Sequence, residues 1–439
     1  MNRASLGPPA ACAGRTTVLT PAVRIPEPAP GISAQRIYPW VQAAAIGVAL
    51  VLITAILHIG SAPYIAFAFA GGFVIHMAAR PDRIELGLTA LFGLLFASIY
   101  FGIGGPWMRY FGWQWGLPAS FLGMGSVQTL AIRWIRSRPE SKPGYLEQLA
   151  EVALLPALCV GSMIAVGAAI YWSPATYDRL LYVFDFKLGG PPSWVVGKLF
   201  RSERWVYVLC GSVYNSLPLG LAICLAAQAW ERKQKRMPLV DLRWLSVALG
   251  IAGFVLYQVC PAAGPAYLFP SDFPQRLPDL AGVAIQPALM QQVPRNGMPS
   301  LHVGWTMLLC WNMRRRSKWI AAGTAVYLTL TALATLGLGE HYLIDLVVAM
   351  PLGLAVQAGC TRGAGRERNL AMAAGALLTL GWLIALRTGL ALAIPSGAVA
   401  QAAVAGTLVL SFGLLWRLER AAIRNSIAGI SAGRATLAA

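Results

Sequence analysis

The stretch GMPSLHVGW, Gly297 to Trp305, opens an apolar segment free of charge, yet it carries a histidine for which an apolar helix has no use. The segment belongs to a chain of 439 residues that is 57% hydrophobic and only 12% charged. Outward from it the apolar residues gather into blocks of roughly the twenty that span a bilayer as helix. The blocks cover approximately 41–58, 62–79, 86–104, 116–132, 150–172, 205–229, 242–259, 299–313, 319–336, 341–359, 370–386 and 398–416. The expected fold is therefore all-α, a polytopic transmembrane bundle of about 12 helices.

A net charge of +18 raises the possibility of a nucleic-acid binder, and the placement of the basic residues decides against it. Of 35 Lys and Arg, 26 lie in the two tails or after even-numbered blocks, and 9 after odd-numbered ones. Clusters such as RWIRSRPESK, ERKQKR, RRRSK and RGAGRER all fall on one side, which the positive-inside rule makes cytoplasmic. Both termini are then expected inside, in a plasma (inner) membrane, and the basicity reads as a topology signal with some attraction for anionic lipid. No nucleic acid is expected as partner.

Residues 1–37, rich in Pro and Ala and without a continuous apolar core, read as a disordered cytoplasmic tail and not as a secretory signal. Residues 38–172 are N-terminal transmembrane helices of unassigned role, 173–360 the region that carries the chemistry, and 361–439 the last helices and a cytoplasmic tail. Of seven cysteines only Cys12 lies clearly outside the apolar blocks, and no CxxC or Cys/His spacing suits zinc, so no disulfide or metal is expected. WMRYFGWQWG, Trp107 to Gly116, reads as interfacial aromatic anchoring.

Three loops fall on the outer side: Ser173–Arg204, Pro261–Ser300 and the short Gly337–Glu340. In the first, leucines and aromatics around Arg179, Asp185 and Lys187 suit a segment lying in the interface, either as a plain connection or as a gate for substrate.

The chain has four histidines. His58 and His76 sit near block ends without polar company and read as interfacial or packed. His302 and His341 each open a block on the outer side and have polar neighbours. Pro299 suits a first helical turn, so Ser300 and His302 would flank a helix N-terminus, whose amides and dipole favour a phosphate. Asp345 follows His341 at i+4, on the same helix face. An imidazole held by a carboxylate is fixed in tautomer and made more basic, so its other nitrogen can attack phosphorus, while a second histidine protonates the leaving alkoxide. Metal binding is the rival use of these three residues, but no further acidic ligand is obvious except Glu340 and the loop aspartates. No cofactor is expected.

MPSLHVGW and GEHYLIDLVVAMP resemble the paired motifs of the type 2 phosphatidic acid phosphatase superfamily, in the branch that looks like inositol phosphorylceramide synthase and is distantly similar to sphingomyelin synthases. YQVCPAAGPAYLFP, Tyr257 to Pro270, is similar to the loop that precedes the first motif in bacterial members. The resemblance covers roughly Ser173 to Val356. It implies a catalytic core of about six helices, a triad of His302, His341 and Asp345, a phosphohistidine intermediate, and lipid donor and acceptor substrates. Transfer of a phospho-head group, such as phosphoinositol or another phospho-polyol, to a lipid hydroxyl at the outer face is the implied activity, with lipid phosphate hydrolysis as the alternative. The phosphatases of the superfamily carry an arginine six residues before the nucleophilic histidine, where this chain has Thr335, and RSRP at Arg136 to Pro139 has no suitably spaced lysine. Arg295, with Asn296 and Ser300, is the candidate for the missing phosphate contacts. A transporter would also have about twelve helices, but matched polar residues at mid-membrane and repeat symmetry are missing. A non-catalytic scaffold would not need the His/His/Asp set.

Overall fold

The computed structural model describes residues 46–54, 56, 63–107, 113–234 and 238–438. The N-terminal tail, Cys12 and His58 lie outside the described residues, as does part of the Trp107–Gly116 segment. Apart from one two-residue pairing, Ala175–Thr176 antiparallel to Ala288–Leu289, and an isolated bridge between Val240 and Thr361, the regular structure is helical.

The helices are α1 (Pro63–Ala78), α2 (Arg83–Gly102), α3 (Trp113–Arg136), α4 (Lys142–Trp172), α5 (Asp178–Lys187), α6 (Pro192–Ser202), α7 (Arg204–Asn215), α8 (Leu217–Lys233), α9 (Leu242–Val259), the single turn α10 (Pro265–Leu268), α11 (Leu301–Met313), α12 (Lys318–Gly337), α13 (Leu343–Cys360), α14 (Gly365–Arg387) and α15 (Gly397–Ala438). Among the described residues seven are long and apolar enough to cross a membrane, namely α2, α4, α9, α12, α13, α14 and α15. The pair α7 and α8, bent by 51° at its break, makes an eighth if counted as one span. The seven point to a multi-pass membrane protein. Two of the expected blocks form shorter helices, α1 with 16 residues and α11 with 13. At 1.5 Å per residue neither reaches the roughly 30 Å of the hydrocarbon core.

The exposed faces of the long helices are apolar: Leu94 on α2, Leu377 on α14 and Val409 on α15 are 69%, 72% and 73% exposed. A water-facing helix would place charge there, so these faces suit lipid tails. Inside, α1 packs on α3, α4 and α8, and α13 packs on α9, α11, α14 and α15.

The two ends of the bundle differ. At one end arginines pair with acids across helix ends: Arg133 with Asp82 and Glu85, Arg232 with Glu151, Arg243 with Asp241, Glu147 and Glu151, Arg316 with Glu231, Arg314 and Arg315 with Glu419, and Arg417 with Glu367. The opposite end is built from α5, α6, α10 and the segment up to Ser300, and its acids behave differently. Asp178 and Asp185 are fully buried. The Asp178 carboxylate accepts from the amides of Ala263, at 3.1 Å, and Gly264, at 2.7 Å. Asp185 accepts from Leu343 and Ile344, at 2.8 and 3.3 Å, and so caps α13 from a distant part of the chain.

The Ser173–Arg204 segment, expected as an interfacial connection or gate, is largely helical. Leu180, Leu181, Tyr182 and Phe184 are buried, Lys187 donates to the Leu392 carbonyl, and the segment forms two helices folded into the body of the protein. A glycine is required where this cap closes. Gly264 has φ of +110°, and a Cβ there would stand 2.5 Å from the Gly339 and Glu340 carbonyl oxygens.

Candidate active site

Ser300 is the N-cap of α11, and Pro299 precedes it instead of occupying the first turn as expected. The Ser300 side chain makes no capping bond to its own helix; its Oγ lies 3.2 Å from His341 Nε2. The first-turn amides of α11 therefore receive nothing from the residue that would ordinarily satisfy one of them, which leaves a helix N-terminus suited to an anion. The Ser300 amide donates to the Asp345 carbonyl oxygen at 3.2 Å, tying the two sequence motifs together through the backbone.

His341 sits in the turn between α12 and α13 and is 1% exposed. Its Nδ1 is 2.7 Å from the Gly297 carbonyl oxygen, which can only accept, so Nδ1 carries the proton and Nε2 keeps its lone pair. Asp345 Oδ2 is farther from Nδ1, at 3.4 Å, and also takes the Tyr342 amide at 2.8 Å, while Oδ1 has no hydrogen-bond partner. The carbonyl thus fixes the tautomer, with the Asp345 carboxyl group beside the ring. Ser193 on α6 donates to the His341 carbonyl at 2.9 Å, so α5 and α6 hold the segment 341–344 from both sides. Burial pushes the His341 imidazole down to about 4, against the milder opposing pull of Glu340 and the Gly297 carbonyl, so it is neutral near pH 7.

His302 lies one residue into α11 and stacks on Tyr214, with ring centroids 3.9 Å apart and planes 14° from parallel. It is close enough to His341 for their charges to repel if both were protonated. It also opens onto a cavity of about 480 Å³. The cavity wall is mostly apolar, with Leu155, Met163 and Leu221 among its residues, and turns polar where His302, Asn296, Tyr267 and Glu340 meet. The shape suits a lipid chain with its head group towards His302.

Of the expected site residues, the structure brings His302, His341, Asp345 and Ser300 together, with Asn296 in the cavity wall. Arg295 it places elsewhere. This side chain is fully buried, and its guanidinium donates to the carbonyls of Ser173 at 2.8 Å, Val293 at 2.7 Å and Pro174 at 3.2 Å, and to that of Met290. With four of its five N–H groups so engaged and no place in the cavity wall, it locks the loop and does not offer its charge to a phosphate. Thr335, where the phosphatase arginine would stand, is buried and bonded to the Ala332 carbonyl at 2.8 Å. The Gly297 carbonyl, Asp185, Ser193 and Tyr214 were not anticipated. A backbone oxygen leaves no trace in side-chain identity, and the others act through partners far away in the chain. Glu340, in the sequence a possible metal ligand, lines the cavity and accepts from the Tyr267 hydroxyl at 3.1 Å.

Residues 179–359 match the family model of the PAP2 superfamily. The matched segment runs from within α5 to the last turn of α13 and contains His302, His341, Asp345, Ser300 and Asn296. It supports phosphatase or phosphotransferase activity, and together with the apolar helices it fits a membrane enzyme with lipid substrates. No curated protein and no solved structure matches the chain.

Proposed function

We propose that the protein is a lipid phosphotransferase that moves a phospho-head group from a phosphodiester lipid to a lipid hydroxyl through a phosphohistidine on His341, in the manner of the inositol phosphorylceramide synthase-like branch. The observation that carries the reading is the His341 ring, with Nδ1–H held by the Gly297 carbonyl beside Asp345 and the Nε2 lone pair directed at the N-terminus of α11. Nε2 attacks phosphorus, the phosphorus–oxygen bond to the departing alkoxide breaks, and His302 supplies the proton that the alkoxide takes. Asp345 stabilises the positive charge that the attacking ring acquires. In the second half His302 removes the proton of the acceptor hydroxyl, its oxygen attacks phosphorus, and the phosphorus–nitrogen bond breaks to restore Nε2. The α11 amides and Ser300 Oγ hold the phosphoryl oxygens.

Transfer is favoured over hydrolysis by charge. A phosphate monoester dianion carries about two charges and needs several cationic donors, whereas a diester carries one. With Arg295 committed to carbonyls and Thr335 in place of arginine, the site has a helix end, a serine and an asparagine for the phosphate. The clustering of basic residues at the other end of the bundle supports an active site on the extracytoplasmic side and termini inside.

The covalent step is tested by quenching purified protein with a phosphorus-labelled diester whose aryl leaving group needs no proton. Wild type and His302→Ala should both show an acid-labile, base-stable adduct, and His341→Ala none. The same adduct in His341→Ala would mean that another group attacks.

A further inference from the structure

The wall of the 480 Å³ cavity contains one acid, Glu340, and no lysine or arginine. Among the described residues the Glu340 carboxylate is met by one side chain, the Tyr267 hydroxyl, at 3.1 Å from one oxygen and 3.4 Å from the other. A half-buried carboxylate with a single neutral donor is left short of partners. Glu340 also directly precedes His341, so a phosphoryl group on that ring would stand beside it, anion against anion, in a site largely removed from water. Burial pushes the Glu340 carboxyl up, in keeping with a charge that has no resident counter-ion. Around it the same wall carries the rings of Tyr64, Tyr214, Tyr257 and Tyr267, whose faces attract cations.

We propose that Glu340 and these tyrosines form a head-group subsite for a cationic amine, primary or quaternary, so that the preferred donor is a zwitterionic phosphodiester. The phosphate of such a head group lies at the N-terminus of α11 and its ammonium at Glu340, which removes the repulsion and leaves the occupied site near neutrality. A polyol head group would give Glu340 hydrogen bonds but no charge, and an anionic one would add to the repulsion.

The subsite rests on the phosphotransfer reading, and two measurements separate them. Full-length protein in non-ionic detergent is titrated, by calorimetry, with dihexanoyl phosphatidylcholine, phosphatidylethanolamine and phosphatidylglycerol, and the turnover of each is followed with a lipid alcohol present. Wild type should bind and turn over the two amine-bearing lipids about tenfold or more better than the glycerol-bearing one. E340Q, which keeps the contact with Tyr267, should lose that margin on both amine-bearing lipids while phosphatidylglycerol changes little. E340A, which also removes the charge, serves as a second variant with the same selective loss expected, should the amide disturb folding. Equal or better binding of phosphatidylglycerol by wild type, or an equal fall for all three lipids in E340Q, overturns the subsite. Selective binding with no turnover of any diester would leave the subsite standing and defeat the transferase reading; turnover without selectivity would do the reverse.

Discussion

At His341 a backbone oxygen chooses which nitrogen does the chemistry. The Gly297 carbonyl holds the proton on Nδ1 at 2.7 Å, and this bond exists because the loop carrying Gly297 is itself pinned, its amide donating to the Ala262 carbonyl at 2.7 Å. Burial then holds the ring neutral, with a pKa near 4 against about 6.5 for a free imidazole. The sign of the consequence follows. Between those two values the unfolded chain binds a proton that the folded chain refuses, so stability is lost as pH falls from 7 towards 4 and regained on return. The thermal midpoint of the wild type should drop over that window more steeply than that of His341→Asn, which has no imidazole to charge. Parallel slopes for the two proteins would contradict a depressed His341. The residues legible in the sequence at this scale were those whose chemistry lies in the side chain: His302, His341, Asp345 and Ser300. Arg295 misled because a cation near a phosphate motif suggests a clamp, whereas its burial, unreadable from spacing, delivers it to carbonyls.

Among the elements, the short helices at the catalytic end were hidden and the long ones were plain. A block such as 242–259 is recognisable because about eighteen predominantly apolar residues in succession have few other homes, and α9 covers the same residues. α5 could not be recognised for what it is, because Asp185 in an aromatic-rich stretch looks like a residue at a water boundary. Its partners, the amides of Leu343 and Ile344, lie more than 150 residues away, and only the folded chain shows that they need a cap. Asp185→Ala should strip two buried amides of their acceptor at a cost of about 1–3 kcal/mol each and shift His341. A lower thermal midpoint together with a lower kcat is the expected pair of readouts. Arg295→Gln should lower the midpoint too, through the loop it locks, but leave KM for the lipid within about threefold, because its guanidinium faces carbonyls and not substrate. A selective rise in KM for Arg295→Gln would restore it to the phosphate site.

Across the whole molecule, charge is divided between the two ends: arginine–acid pairs at one, buried capping aspartates and two histidines at the other. The sequence carried this division in the alternation of its basic residues, whereas a short apolar helix such as α11 has the composition of a crossing without its length. A cysteine introduced at Asp279, in the loop before α11, should react in intact cells with an impermeant thiol reagent, and one at Gln234, beyond α8, should not; the reverse pattern would put the site in the cytoplasm. The central claim is that this bundle transfers a phospho-head group between lipids. Purified wild-type protein should be given a phosphodiester lipid with a lipid alcohol, and in parallel phosphatidate or a polyprenyl phosphate. Acceptor-dependent product from the diester, lost in His341→Ala and accompanied by little phosphate release from the monoesters, is the predicted result. Rapid monoester hydrolysis with no acceptor-dependent product would contradict it and make the protein a lipid phosphatase.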